Sequence, residues 1–143
     1  MKIKKLERNI KTGAYTIVFQ DDVSQQTLRC TELARKEMGD ALTNLIGVAV
    51  DIVGLSGGAM QSIIVTGAIW KYDKFGVLNS VELLGKYYMQ RQYLKISFPA
   101  MKPYIEKREN CYGETQWKLI QILEDETKRY LNGDRAQLNL NEV

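Results

Sequence analysis

The apolar residues of this chain change their period twice, and that switching constrains the fold more than any single motif. Near the start, Tyr15, Ile17 and Phe19 alternate with Ala14, Thr16 and Val18, the two-residue period of a strand with one buried face. Residues 2–10 and 14–21 therefore read as a hairpin, with Thr12-Gly13 in the turn. From about Thr31 to Val53 the spacing lengthens. Leu42, Leu45, Ile46, Ala49 and Ile52 fall three and four apart, an apolar stripe on a helix that Thr31 or a neighbour would cap and Gly54 would end. The short period then returns. Residues 61–72 and 78–89 predict two further strands around a turn near Asp73–Gly76, with Val81, Leu83 and Tyr87 on one face and Glu82, Leu84, Lys86 and Tyr88 on the other.

Pro99 and Pro103, the only two prolines, interrupt regular structure because each lacks an N–H and restrains the residue before it. A closing helix is predicted over Glu114–Leu131, striped by Trp117, Ile120, Leu123 and Thr127 and stopped at Gly133. The predicted order is β-β-α-β-β-α, an α+β fold with a four-stranded antiparallel sheet of two hairpins and helices on one face. At 143 residues with no linker composition, the chain predicts one domain over residues 1–135 and a flexible tail over 136–143.

Composition narrows the chemistry. With no histidine, imidazole acid–base catalysis and histidine-based nucleophile activation are excluded. Cys30 and Cys111 belong to no metal-binding spacing and read as free thiols, so neither a metal nor a cofactor is expected. The longest apolar run, Leu45–Val50, ends at Asp51 and is too short to cross a bilayer. The basic start lacks the apolar core of a secretory signal, so a cytoplasmic location is expected. A binding protein, not an enzyme, is the expectation.

The stretch Lys86–Arg108 points to a ligand. It holds six cations against one anion, +5, whereas the whole chain carries +3. Tyr87, Tyr88, Tyr93, Phe98 and Tyr104 lie among those charges. Cations between flat rings suit phosphates and the bases or sugars attached to them. Arg91, Lys95 and Lys102 are the candidate phosphate ligands, and Tyr88 or Trp70 the candidate stacking ring. A second basic patch, Lys2, Lys4, Lys5, Arg8 and Lys11 against Glu7, would join the first if both hairpins shared a sheet, although lysines also guard strand edges.

Other motifs say less. Gly54-Leu-Ser-Gly-Gly-Ala59 has the glycines of a phosphate loop, but it follows a helix and lacks the lysine, so it reads as a helix stop. Asp21-Asp22 reads as a strand-ending turn and Glu124-Asp125-Glu126 as a solvated helix face. A carboxylate enzyme would need Asp21, Asp22 and Asp51 to cluster.

The opening hairpin, ARKEMGDALTNLIGVAVDIV (34–53), IIVTGAIWKY (63–72), SVELLGKYY (80–88) and LKISFPAMKPY (94–104) together resemble a group of small phage-encoded α+β proteins of uncharacterised function. That resemblance implies an accessory protein in a host cell's cytoplasm that acts by binding. The leading expectation is a homo-oligomer that captures a phosphate-bearing nucleotide, sequestering a host-defence signal. Its rivals are a single-stranded nucleic-acid binder serving phage replication or recombination, and a protein-interaction inhibitor of a host enzyme.

Overall fold

The computed structural model describes residues 1–55, 57–105 and 109–136. Its elements are β1 Lys2–Arg8, β2 Tyr15–Gln20, β3 Gln25–Cys30, α1 Lys36–Ile52, β4 Ile63–Tyr72, β5 Leu78–Met89, β6 Gln92–Ser97 and α2 Glu114–Leu131. A short 3-10 helix, Gly57–Gln61, leads from α1 into β4. The strands form one antiparallel sheet in the order β3-β2-β1-β4-β5-β6.

The four-stranded sheet of order β-β-α-β-β-α is therefore corrected to six strands of order β-β-β-α-β-β-β-α. Each expected hairpin continues into a third strand, so the chain is two consecutive βββα units whose first strands, β1 and β4, pair at the centre of the sheet. Strand β3 escapes sequence reading because QQTLRC offers only Leu28 and Cys30 as apolar alternation, enough for an edge strand and too little for a signal. Strand β6 escapes because the turn before it, Gln90-Arg91, contains no glycine, proline or asparagine. The tail expected over 136–143 lies, after Ala136, outside the described residues.

Both helices cover one face of the sheet. Leu28, Ile17, Leu6, Ala68 and Leu83 oppose one another strand by strand from β3 to β5, and the last four are fully buried at 0 % exposure. Met38, Leu42, Leu45 and Ala49 of α1 and Ile120, Leu123 and Tyr130 of α2 close over that row. Each large aliphatic side chain buried this fully contributes roughly 1.5–3 kcal/mol. At their C-termini, Gly54 and Gly133 take φ of 69° and 90°, the left-handed turn that lets the next amide reach back to the helix carbonyls. Gln116 ties the start of α2 to the end of α1, donating to Asp51 Oδ2 at 2.7 Å.

Two details fix how the halves meet. A side chain at Gly67 would place its Cβ 1.8 Å from the Leu6 carbonyl oxygen, so only glycine lets β1 and β4 approach. Beyond Ser97, the chain turns back over the start of β5. Met101 pairs with Val81, and Tyr112 Oη donates to the Val81 carbonyl at 2.7 Å. Burial first, and the Glu82 carboxylate second, push the Tyr112 hydroxyl well above its ordinary pKa.

Candidate functional site

The second face of the sheet carries no described helix. One residue along from the buried row, Arg29, Thr16, Glu7, Gly67, Leu84 and Ser97 oppose one another across all six strands. Strict alternation places them on the side away from α1 and α2. The next row toward the β5–β6 turn holds Ile64, Lys86 and Lys95, and the one after it Tyr88 and Tyr93. In the other direction lie Thr27, Val18, Lys5, Ile69 and Glu82.

This open face is basic. The β1 irregularity between Ile3 and Lys5 adds Lys4, whose Nζ donates to Gln25 Oε1 on β3 at 3.1 Å. Lys4, Lys5, Arg29, Lys71, Lys86 and Lys95 thus stand against two carboxylates, Glu7 and Glu82. Both carboxylates are engaged: Lys5 lies 3.8 Å from Glu7 and Lys71 lies 3.9 Å from Glu82. Among the described residues, Arg29, Lys86 and Lys95 have no carboxylate within ion-pair distance. Lys86 and Lys95 are direct cross-strand partners, a like-charge pair that destabilises a sheet in the absence of an anion.

Beside that pair, the β5–β6 ribbon runs past the start of β4, whose Ile63 is paired with Tyr87. Tyr88 and Tyr93 are 46 % and 47 % exposed, with ring centroids 5.0 Å apart and planes tilted by 50°. The ribbon turns through Gln90 and Arg91 at φ 50° and 65°, with Met89 and Gln92 paired on either side. Two successive positive φ values match a type I′ hairpin turn, a position where asparagine and glycine are the favoured residues. Arg91 is exposed at this tip.

Of the residues predicted from sequence, Tyr88, Arg91 and Lys95 come together on this ribbon. Trp70 does not join them. It points into the core at 2 % exposure, opposite Val81, and its indole N–H has no partner among the described residues, so it is unavailable for stacking on a ligand. Lys102 is also elsewhere. It follows the Met101–Val81 bridge, and Val81 is seven residues from Tyr88 on β5, about 23 Å along the strand. Arg29 was missed because β3 was missed. Lys4 and Lys5 were legible as basic residues, but their neighbourhood with Lys86 depended on β1 and β4 sharing a sheet.

The remaining candidates form no site. Asp21 accepts from the Ser24 and Val23 amides at 2.8 and 2.9 Å, and these bonds hold its carboxyl below the usual range. Asp51 is bonded to Gln116 on the helix side, and among the described residues no three acidic or thiol groups converge as metal ligands. Gly54 does end α1, while Ser56 of the glycine-rich loop lies outside the described residues. At the opposite end of the helix layer, Tyr130 Oη first and the Glu32 amide second hold the Cys30 thiol below its ordinary pKa, with Arg135 Nη1 3.5 Å from the sulfur.

No family model matches the chain, and no curated protein or solved structure is significantly similar to it. No described helix is long and apolar enough to cross a membrane.

Proposed function

We propose that this protein binds single-stranded nucleic acid across the open face of its sheet. The observation that carries the reading is the opposed Lys86–Lys95 pair, which has no carboxylate of the described residues within ion-pair distance and is set beside the exposed Tyr88–Tyr93 rings. A strand of nucleic acid supplies what each half of that surface lacks. Its phosphates neutralise the lysines and Arg29, and its unpaired bases stack on the tyrosines. The face runs the width of six strands, so it suits an extended polyanion better than one small molecule.

Nucleotide capture by Tyr88, Arg91, Lys95, Lys102 and Trp70 acting together is less well supported, because Trp70 is buried and Lys102 is distant. In a phage-encoded setting the activity would serve replication or recombination in the host cytoplasm, as binding without turnover. Fluorescence anisotropy with labelled oligothymidine is the test. Affinity should increase with length and fall with salt, with a log–log slope of about −2 to −3 for three or four neutralised phosphates. Equal affinity for mononucleotides and oligomers, with a flat salt response, would overturn the proposal.

A further inference from the structure

The seam between the two βββα units leaves a gap on the basic face. Strand β1 pairs with β4 only through Lys5, Leu6 and Glu7, whereas β4 continues four residues further, from Thr66 back to Ile63. After Glu7 the β1–β2 hairpin pairs no further with β4. A cleft of about 220 Å³ opens there, lined by Glu7, Arg8, Asn9, Ile10, Lys11 and Lys86. It adjoins a smaller one of about 80 Å³, lined by Glu7, Thr66, Leu84, Gly85, Lys86 and Lys95. Thr66 reaches this position because β4 is irregular between Val65 and Gly67, the distortion that re-aims a side chain.

Three cations, Lys11, Lys86 and Lys95, therefore line the two adjoining clefts with one carboxylate, Glu7, and that carboxylate already faces Lys5; Arg8 borders the larger cleft, but its alternation with Leu6 and pairing with buried Tyr15 place it toward the helix side. Among the described residues none of these three lysines forms an ion pair. Elsewhere on the face the cations stand singly or are paired. Here several converge on a concavity. An internal phosphodiester carries one negative charge, whereas a phosphate monoester carries nearly two at neutral pH and offers three acceptor oxygens. The doubly charged group is the better match to this cluster. Tyr88 lies two residues beyond Lys86 on the same strand face, about 7 Å away. A phosphate on Lys86 and Lys95 would thus leave its own base within reach of the Tyr88–Tyr93 rings.

We propose that this cleft binds the terminal phosphate monoester of a nucleic-acid strand, seating the strand end at the seam. The inference rests on the open face being a nucleic-acid surface, and the experiment separates the two. Anisotropy is measured with one oligonucleotide in three forms, 5′-phosphorylated, 3′-phosphorylated and unphosphorylated, on the native protein, Lys11→Gln and Arg29→Gln. Inorganic phosphate and a nucleoside monophosphate serve as competitors. One phosphorylated end should bind about tenfold tighter than the unphosphorylated strand. Lys11→Gln should abolish that preference, and Arg29→Gln should weaken all three forms alike. Equal affinity for the three forms, or a preference that survives Lys11→Gln, overturns the cleft and leaves the sheet reading standing. If no oligonucleotide binds, the sheet reading falls. Native-protein amide shifts at Lys86 and Lys95 under inorganic phosphate or the monophosphate would then support a free-phosphate site, and their absence would overturn the cleft as well.

Discussion

Replacing Arg91 with glycine should make this protein more stable and a weaker binder. Gln90 and Arg91 both occupy the left-handed region, at φ 50° and 65°. There an L-residue is disfavoured by roughly 1–2 kcal/mol, a strain glycine does not carry. Glycine also loses more chain entropy on folding, which offsets about 0.5–1 kcal/mol. The net gain for Arg91→Gly is therefore about 0.5–1 kcal/mol, and Asn-Gly at both positions should raise it to about 1–2 kcal/mol, since that pair favours the turn. For a chain of this length 1 kcal/mol moves the melting temperature by about 3–5 °C, so thermal melts followed by circular dichroism should shift by about 2–4 °C for the single change. Affinity for oligothymidine should fall about threefold as one phosphate contact disappears. Arg91→Ala separates the two effects, because it removes the guanidinium and keeps the strain. It should weaken binding without raising the melting temperature. If Arg91→Gly melts at or below the native temperature, the reasoning about the turn fails.

Gly67→Ala should abolish cooperative unfolding or lower stability by at least about 3 kcal/mol, since the new Cβ would sit 1.8 Å from the Leu6 carbonyl and part the two halves of the sheet. Urea titration monitored by tryptophan fluorescence reads this directly. Tyr88→Ala should leave the melting temperature nearly unchanged, because the ring is 46 % exposed, and should weaken oligonucleotide binding by about 1–3 kcal/mol if a base stacks there. Asp21, whose carboxyl is held below 3.8 by the Ser24 and Val23 amides, stabilises the β2–β3 turn as the carboxylate. Its contribution is complete above the unfolded value and lost as pH falls through the lower folded one. The stability gap between native protein and Asp21→Ala should accordingly be widest near neutrality and close below pH 3.8 in acid melts.

Legibility from sequence followed burial. Helix α2 spans the predicted Glu114–Leu131, because its apolar stripe and Gly133 stop are local signals that packing then uses. Helix α1 begins at Lys36, later than a cap at Thr31 would place it, and Arg35 caps it with no side-chain bond. The segment before it is held instead by long-range contacts. Arg35 meets Glu126 at 3.0 Å and Tyr130 Oη donates to the Glu32 carbonyl at 2.7 Å, interactions no local pattern announces. The two edge strands escape sequence reading for different reasons: β3 has one neighbour, little to bury and a mostly polar sequence, whereas β6 holds Tyr93, Leu94 and Ile96 but follows a turn that no glycine, proline or asparagine announces. The site followed the same rule. Tyr88 and Lys95 face solvent, as alternation within a hairpin allows, whereas Trp70 looked equivalent in sequence and lies on the helix side. Its face was set by the irregularity between Val65 and Gly67, a tertiary feature at the seam.

Whether the open face is the nucleic-acid surface is read by amide chemical-shift mapping of the protein titrated with unlabelled oligothymidine. Perturbations are expected at Arg29, Lys86, Tyr88, Tyr93 and Lys95, on three strands of one face, with α1 and α2 silent. Shifts concentrated on the helices, or none on the open face at concentrations where anisotropy reports binding, would contradict that expectation.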